Sequence, residues 1–117
     1  MVTQQLDAAF SALSDPTRRA ILARLAAGEA TVMDLAEPFA MTQPAVSRHL
    51  KVLESAGLIV RRVEGTKRPC RLAKAGIQPI DQWLHTLRQA MERNYDRLDQ
   101  ILEGIETNAK KNKRKKR

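Results

Sequence analysis

Cysteine occurs once in these 117 residues, at Cys70. A single thiol cannot close a disulfide within the chain, and a reducing, cytoplasmic setting is expected. Aromatic residues make up only 3%, so the core has to be built from Leu, Ile, Val and Ala, a mix that favours helices. No apolar run approaches the ~20 residues needed to span a bilayer, and no membrane partner is expected. The opening MVTQQLDAAF has neither a basic stretch nor an apolar signal core, so secretion is not expected. A Gly-rich phosphate loop and a paired-carboxylate cleft are also missing. Ser47 and His49 are two apart on a helix and face different directions. The chain is therefore read as a non-enzyme without a cofactor.

What the chain has is positive charge, +8 in net, unevenly placed. Residues 1–43 carry net −2, residues 44–74 net +6 and residues 75–109 net −3, and seven of the last eight residues are basic. Net positive charge is thus confined to one central segment and a tail. A solvated face is the ordinary meaning of such a run. Its coincidence with a short amphipathic helix points instead to a polyanionic partner.

Apolar periodicity predicts a first helix over 4–13, with Leu6, Ala9, Phe10 and Leu13 on one stripe. In SDPTRRAILARLAAG a second helix restarts, with Ser14 or Asp15 as its cap, Pro16 in its first turn and Gly28 as its stop. Thr31 and Asp34 have capping-box spacing at the head of a third helix, which Pro38 ends. Thr42 is a good N-cap for a fourth, and Pro44 falls in its first turn, where proline is tolerated. Two helices joined by so few residues form the pattern of a helix-turn-helix. After Gly57 the composition becomes β-branched, and LIVRRVEGTKRPCRLA predicts a hairpin with a cationic tip turning at Gly65. A long helix follows over about 78–105, its stripe stepping through Ile80, Leu84, Leu87, Met91, Tyr95, Leu98, Leu102 and Ile105. The expected fold is mainly α with a small β-hairpin, a winged helix-turn-helix. Residues 1–107 are expected to form the domain and 108–117 a basic disordered tail.

On the fourth helix, MTQPAVSRHLKVL, a helical wheel puts Val46, Leu50 and Leu53 inward, with Ala45, Val52 and Ala56 widening the apolar arc. Gln43, Ser47, Arg48 and Lys51 share the opposite arc. A helix fits the DNA major groove, where Gln pairs with adenine and Arg with guanine, while Ser suits a base or a phosphate and Lys a phosphate. His49 falls at the edge of the buried arc, so packing and a phosphate contact are both open to it. The hairpin adds Arg61, Arg62, Lys67, Arg68 and Arg71, of which only alternate residues can face one way.

The stretches LSDPTRRAILARLAAGEATVMDLAEPF and MTQPAVSRHLKVLESAGLIVRRVEGTKRPCRL resemble the ArsR/SmtB family of winged helix-turn-helix repressors. The resemblance covers Leu13 to Leu72. It implies a homodimer on double-stranded DNA, joined through the first and last helices, here Leu6, Phe10, Leu84, Leu87, Met91, Tyr95 and Leu98. DNA contacts are expected from Thr42, Gln43, Ser47, Arg48, His49 and Lys51, and from Arg62, Lys67 and Arg68 of the wing.

Metal sites common in the family are not matched. Thr31 and Met33 stand where a thiolate pair would be, Trp83 stands where a helix histidine would be, and no metal is expected. The tetrad Arg-Pro-Cys-Arg around Cys70 resembles a non-metal branch. Cys70 itself reads as a packed strand residue or, alternatively, as a redox-sensitive thiol activated by Arg68 and Arg71. A repressor answering to a small organic effector is a further alternative.

Overall fold

The junction between the first two helices is written in five residues, DPTRR. In the computed structural model, which describes residues 2–115, α1 spans Val2–Leu13 and α2 spans Pro16–Leu25. Asp15, not Ser14, caps α2: its Oδ1 accepts from the backbone N–H groups of Thr17 (2.8 Å) and Arg18 (3.1 Å). These bonds hold the Asp15 carboxyl below its usual range, the Arg18 N–H contributing most. The two arginines reach back to the preceding helix. Arg18 Nε donates to the Ala12 carbonyl and Arg19 Nη1 to that of Leu13, both at 2.7 Å. The unpaired C-terminal carbonyls of α1 thus find donors from α2, and the bend between the helices is fixed.

Helix α3 is a short Val32–Ala36 and α4 spans Gln43–Ser55. The expected capping box forms: Asp34 N–H donates to Thr31 Oγ1 (3.2 Å) and Thr31 N–H to Asp34 Oδ2 (2.9 Å). Thr42 caps α4, its Oγ1 accepting from Ala45 N–H at 3.3 Å. Between these helices the chain reverses at Ala40, whose φ of 52° lies in the left-handed region. Here an alanine occupies a conformation that glycine adopts freely.

Strands β1 (Ile59–Arg61) and β2 (Cys70–Leu72) pair antiparallel, with Ile59 opposite Leu72, Val60 opposite Arg71 and Arg61 opposite Cys70. The wing tip closes at Gly65 and Thr66 through reciprocal bonds between the backbones of Glu64 and Lys67, both 2.9 Å. Ala30 bridges Cys70 through two further backbone bonds of 3.1 and 2.8 Å. The loop ahead of α3 therefore extends the hairpin base. This order of helix, turn, helix and hairpin is a winged helix-turn-helix, as the sequence led us to expect.

The core joins Ala9 and Ala12 of α1, Ile21, Leu22 and Leu25 of α2, Leu35 of α3, Val46, Leu50 and Leu53 of α4, and Leu58, Ile59 and Cys70 from the hairpin. The three α4 residues are fully buried, each stabilising by about 1.5–3 kcal/mol relative to exposure. Val52, assigned to the same arc on the wheel, is 42% exposed. It stands too far round the helix to reach the core.

The final helix, α5, spans Lys74–Lys115 and so begins four residues before the expected start. Pro79 is consequently inside it, forgoing the one N–H that would reach the Ala75 carbonyl. Gly76 explains why this early turn sits where it does. A Cβ there would overlap the Gly57 carbonyl oxygen, so the first turn lies directly on the end of α4. Ile77 and Ile80 pack against the core.

The segment from residue 108, expected as a disordered tail, is helical as far as Lys115, and residues 116 and 117 lie outside the described part. No Gly or Pro follows Gly104. Lys and Arg are good helix formers, and cations suit a helix C-terminus, so an existing helix propagates. The chain divides into two compact units, Met1–Asp81 and Gln82–Arg117. The first contains the whole winged helix-turn-helix.

Candidate nucleic-acid interface

Helix α4 is held by its buried stripe, and that anchoring decides what its other side presents. Gln43, Arg48 and Lys51 are exposed and Ser47 is half-buried. Gln43 is the first residue of the helix, so its side chain stands at the end whose backbone N–H groups carry partial positive charge.

The wing brings its cations to the same end. Gln43 and Ser47 of α4, Arg61 of β1, and Thr66, Lys67 and Arg68 of the tip line one cleft of about 500 Å³. Amide, hydroxyl and three cationic groups here face a common space, the set of donors suited to phosphates and base edges. The structure thus unites four of the nine residues singled out in the sequence for DNA: Gln43, Ser47, Lys67 and Arg68. Arg48 and Lys51 stand exposed on the same helix outside that cleft.

The remaining three have other partners. The Thr42 hydroxyl is engaged as the α4 cap. His49 is half-buried, in keeping with its place at the edge of the buried arc, and close enough to Asp15 at the start of α2 to help depress its carboxyl. Arg62 forks onto two carboxylates. Its Nη2 and Nε reach Glu29 at 2.7 and 3.2 Å, and its Nη1 reaches Glu64 Oε2 at 2.9 Å. The Arg62 hydrogen bond holds the Glu29 carboxyl below its usual range, and Glu29 in turn raises Arg62.

Arg61 is the cleft residue that alternation along the hairpin did not single out. It is directly opposite Cys70 in the ladder, and its Nε lies 3.8 Å from Glu54 Oε2. That Nε is buried without a hydrogen-bond partner. The available signal was pairing register: residues directly opposite share a face, so Arg61 lies on the same face as Cys70.

Cys70 is fully buried, with Sγ 3.7 Å from the Arg68 carbonyl oxygen. Burial pushes its thiol above the ordinary value of 9.0, Arg61 lowering it by less and Glu54 adding to the rise. The lowering charge is that of Arg61, not of Arg68 or Arg71 as considered from sequence, and desolvation outweighs it. Among the described residues, no three His, Cys, Asp or Glu side chains group as metal ligands would. Thr31 is committed to its capping box and Met33 is 69% exposed. No helix among the described residues is long and apolar enough to cross a membrane.

Comparison with known proteins agrees with this geometry. Residues 13–62 match the family model described as a helix-turn-helix domain. The chain is 48% identical over 74 residues to the HTH-type transcriptional regulator Rv2034 of Mycobacterium tuberculosis, covering 63% of this chain and 69% of that protein. It superposes on the crystal structure of the ArsR family transcriptional regulator RHA00566 with a TM-score of 0.67 at 40% identity, covering 77% of this chain and 93% of that one. It also superposes on the homodimeric winged helix-turn-helix DNA-binding domain of Mb0332 from Mycobacterium bovis. There the TM-score is 0.62 at 29% identity, with 74% of this chain and 81% of that one covered.

Fold and site together are those of a DNA-binding transcriptional regulator of the winged helix-turn-helix class. The chain belongs to the ArsR family of such regulators, a family of regulators and not of enzymes.

Proposed function

We propose that this protein is a repressor that binds an inverted-repeat operator as a homodimer. Helix α4 enters the major groove, with Gln43 and Arg48 reading base edges and Ser47 and Lys51 on base or phosphate. Lys67 and Arg68 of the wing contact the backbone, and Arg61 joins them in the cleft. Thr42 and His49 support α4 from behind. The observation that carries this reading is the shared cleft, in which the first turns of α4 and the wing tip present cations and amide groups together.

Dimerisation uses the apolar stripes of α1 and α5. Phe10, Leu84, Leu87, Met91, Tyr95 and Leu98 are each 40–56% exposed in the single chain, and Leu6 is half-buried. Each stripe has the helical spacing that a second copy would cover. The Mycobacterium bovis relative is homodimeric. A two-fold dimer places two recognition helices about one DNA turn apart, which matches an inverted repeat. The domain then runs to about residue 107, and the basic residues beyond it add sequence-independent attraction to DNA.

A non-metal branch of the family is the reading we favour, because Thr31 and Met33 supply no thiolate and Thr31 is already engaged as a helix cap. The signal is then a small organic effector or another non-metal input; a redox signal through Cys70 is disfavoured by its burial.

The test is an anisotropy titration of DNA recovered with the protein from cells, against random duplex, over a range of salt. Operator affinity should exceed random affinity by 10³-fold or more, as specific binders typically show. Arg48→Ala should cost about 1–3 kcal/mol on operator and relax the preference at one position. Equal affinity for both duplexes would refute specific repression.

A further inference from the structure

The wing has only three registered strand pairs, and a two-stranded ribbon of this length is marginal by itself. Something must hold its tip where Lys67 and Arg68 are useful. At the base, the backbone bonds between Ala30 and Cys70 do this. Beyond the last registered pair, the tip arm is joined to the rest of the domain through Arg62.

Arg62 and Glu29 are 33 residues apart in sequence, yet they form a forked pair of hydrogen bonds, 2.7 and 3.2 Å. Glu29 belongs to the same loop as Ala30 and Thr31, which caps α3. The third Arg62 nitrogen holds Glu64, and Glu64 closes the tip turn onto Lys67. One guanidinium therefore connects the loop that starts the helix-turn-helix to the turn that carries the wing cations. A bidentate carboxylate–guanidinium pair is directional as well as attractive, so it fixes angle as well as distance. With two carboxylates around one cation, this spot carries no surplus positive charge for a phosphate.

We propose that Glu29 and Arg62 are positioning residues: they clamp the wing to the α2–α3 loop, and Arg62 serves DNA recognition by placing Lys67 and Arg68 without touching DNA. The inference rests on the reading that the wing meets DNA, and the experiment separates the two.

Operator affinity and its salt slope are measured for wild type, Glu29→Gln, Arg62→Ala, the double variant, and Lys67→Ala. Amide hydrogen exchange is followed in the free proteins. Each clamp variant should bind about tenfold more weakly. Arg62→Ala should keep the wild-type salt slope, and the double variant should be no weaker than the worse single one, because both changes break the same pair. Exchange at the Arg62 and Lys67 amides should quicken in both singles, while α4 stays protected.

A fall of about 0.9 in the salt slope of Arg62→Ala would make Arg62 a phosphate contact and overturn the proposal. Tighter binding by Glu29→Gln, additive losses, unchanged exchange in the wing, or exchange quickening equally in α4 would overturn it too. Lys67→Ala tests the underlying reading: its slope should fall by about 0.9. If it does not, the wing–DNA contact is refuted, while the clamp still stands or falls on the exchange data.

Discussion

Cys70 has an arginine on each side in the wing strand, two residues before it and one after, and on charge alone would be a reactive thiolate. Its environment reverses that. The side chain points into the core, and the cost of desolvating a thiolate exceeds the attraction of Arg61. A folded value above 9.0 has a defined consequence for stability. The neutral thiol contributes fully below pH 9. Above it the unfolded chain loses its proton first, so that contribution is lost as pH rises through the folded value. Urea midpoints measured from pH 8 to pH 10.5 should fall in wild type, and the part of that fall due to Cys70 should vanish in Cys70→Ala. A disulfide reagent should meanwhile label Cys70 only as fast as the protein opens. Rapid labelling of the folded protein would restore the redox reading. Arginines likewise differ by their neighbours. Arg18 and Arg19 bind helix carbonyls, Arg62 is held by carboxylates, and Arg48 stands exposed on α4. Residue type does not separate these arginines, and partners distinguish them.

At the scale of elements, caps and turns were legible because each is a local pattern with a local cause. Asp15, Thr31 with Asp34, and Thr42 are placed as their spacing required. Ala40 was not legible, since nothing in an alanine announces a positive φ. The helix-turn-helix imposes that φ on it by returning the chain from α3 to α4 within a few residues. Glycine relieves the steric cost of that conformation but loses more entropy on folding. Ala40→Gly should therefore raise stability modestly, by about 0.5–1 kcal/mol, read from denaturant midpoints with operator affinity unchanged. A loss of stability would mean the alanine side chain is needed for packing at the turn. The start of α5 was misjudged for a related reason. The apolar stripe begins at Ile80, so periodicity set the start near residue 78. The contact of Gly76 on the Gly57 carbonyl decides instead for Lys74.

For the whole molecule, the exposed stripe of α5 and the cationic cleft imply a division of labour. Under the proposed function, the first unit recognises DNA and the second makes that recognition bivalent. Leu98→Asp with Met91→Asp should place like charges in the stripe and abolish the dimer. Sedimentation should then give the mass of one chain, near 13.2 kDa. Operator affinity should fall on the order of 10²-fold, because two half-sites no longer act together. The circular dichroism of the first unit should persist, since it is a compact unit by itself that ends at Asp81. A variant that stays dimeric would exclude this stripe as the interface.

The sequence by itself determined the order of elements, the caps, the buried stripe of α4 and the concentration of net positive charge in the segment from α4 through the wing and in the tail. Each depends on residues within about a turn of one another, where periodicity and side-chain chemistry act directly. Family resemblance over Leu13 to Leu72 added the expected dimer and the regulatory role. Only the tertiary structure decided which cations are available. Arg62 meets Glu29 across 33 residues, Arg61 shares a face with the buried Cys70, and Gln43 and Ser47 meet Lys67 and Arg68 in one cleft. Such pairings depend on how the wing folds back against the loop before α3, and spacing along the chain does not encode that distance.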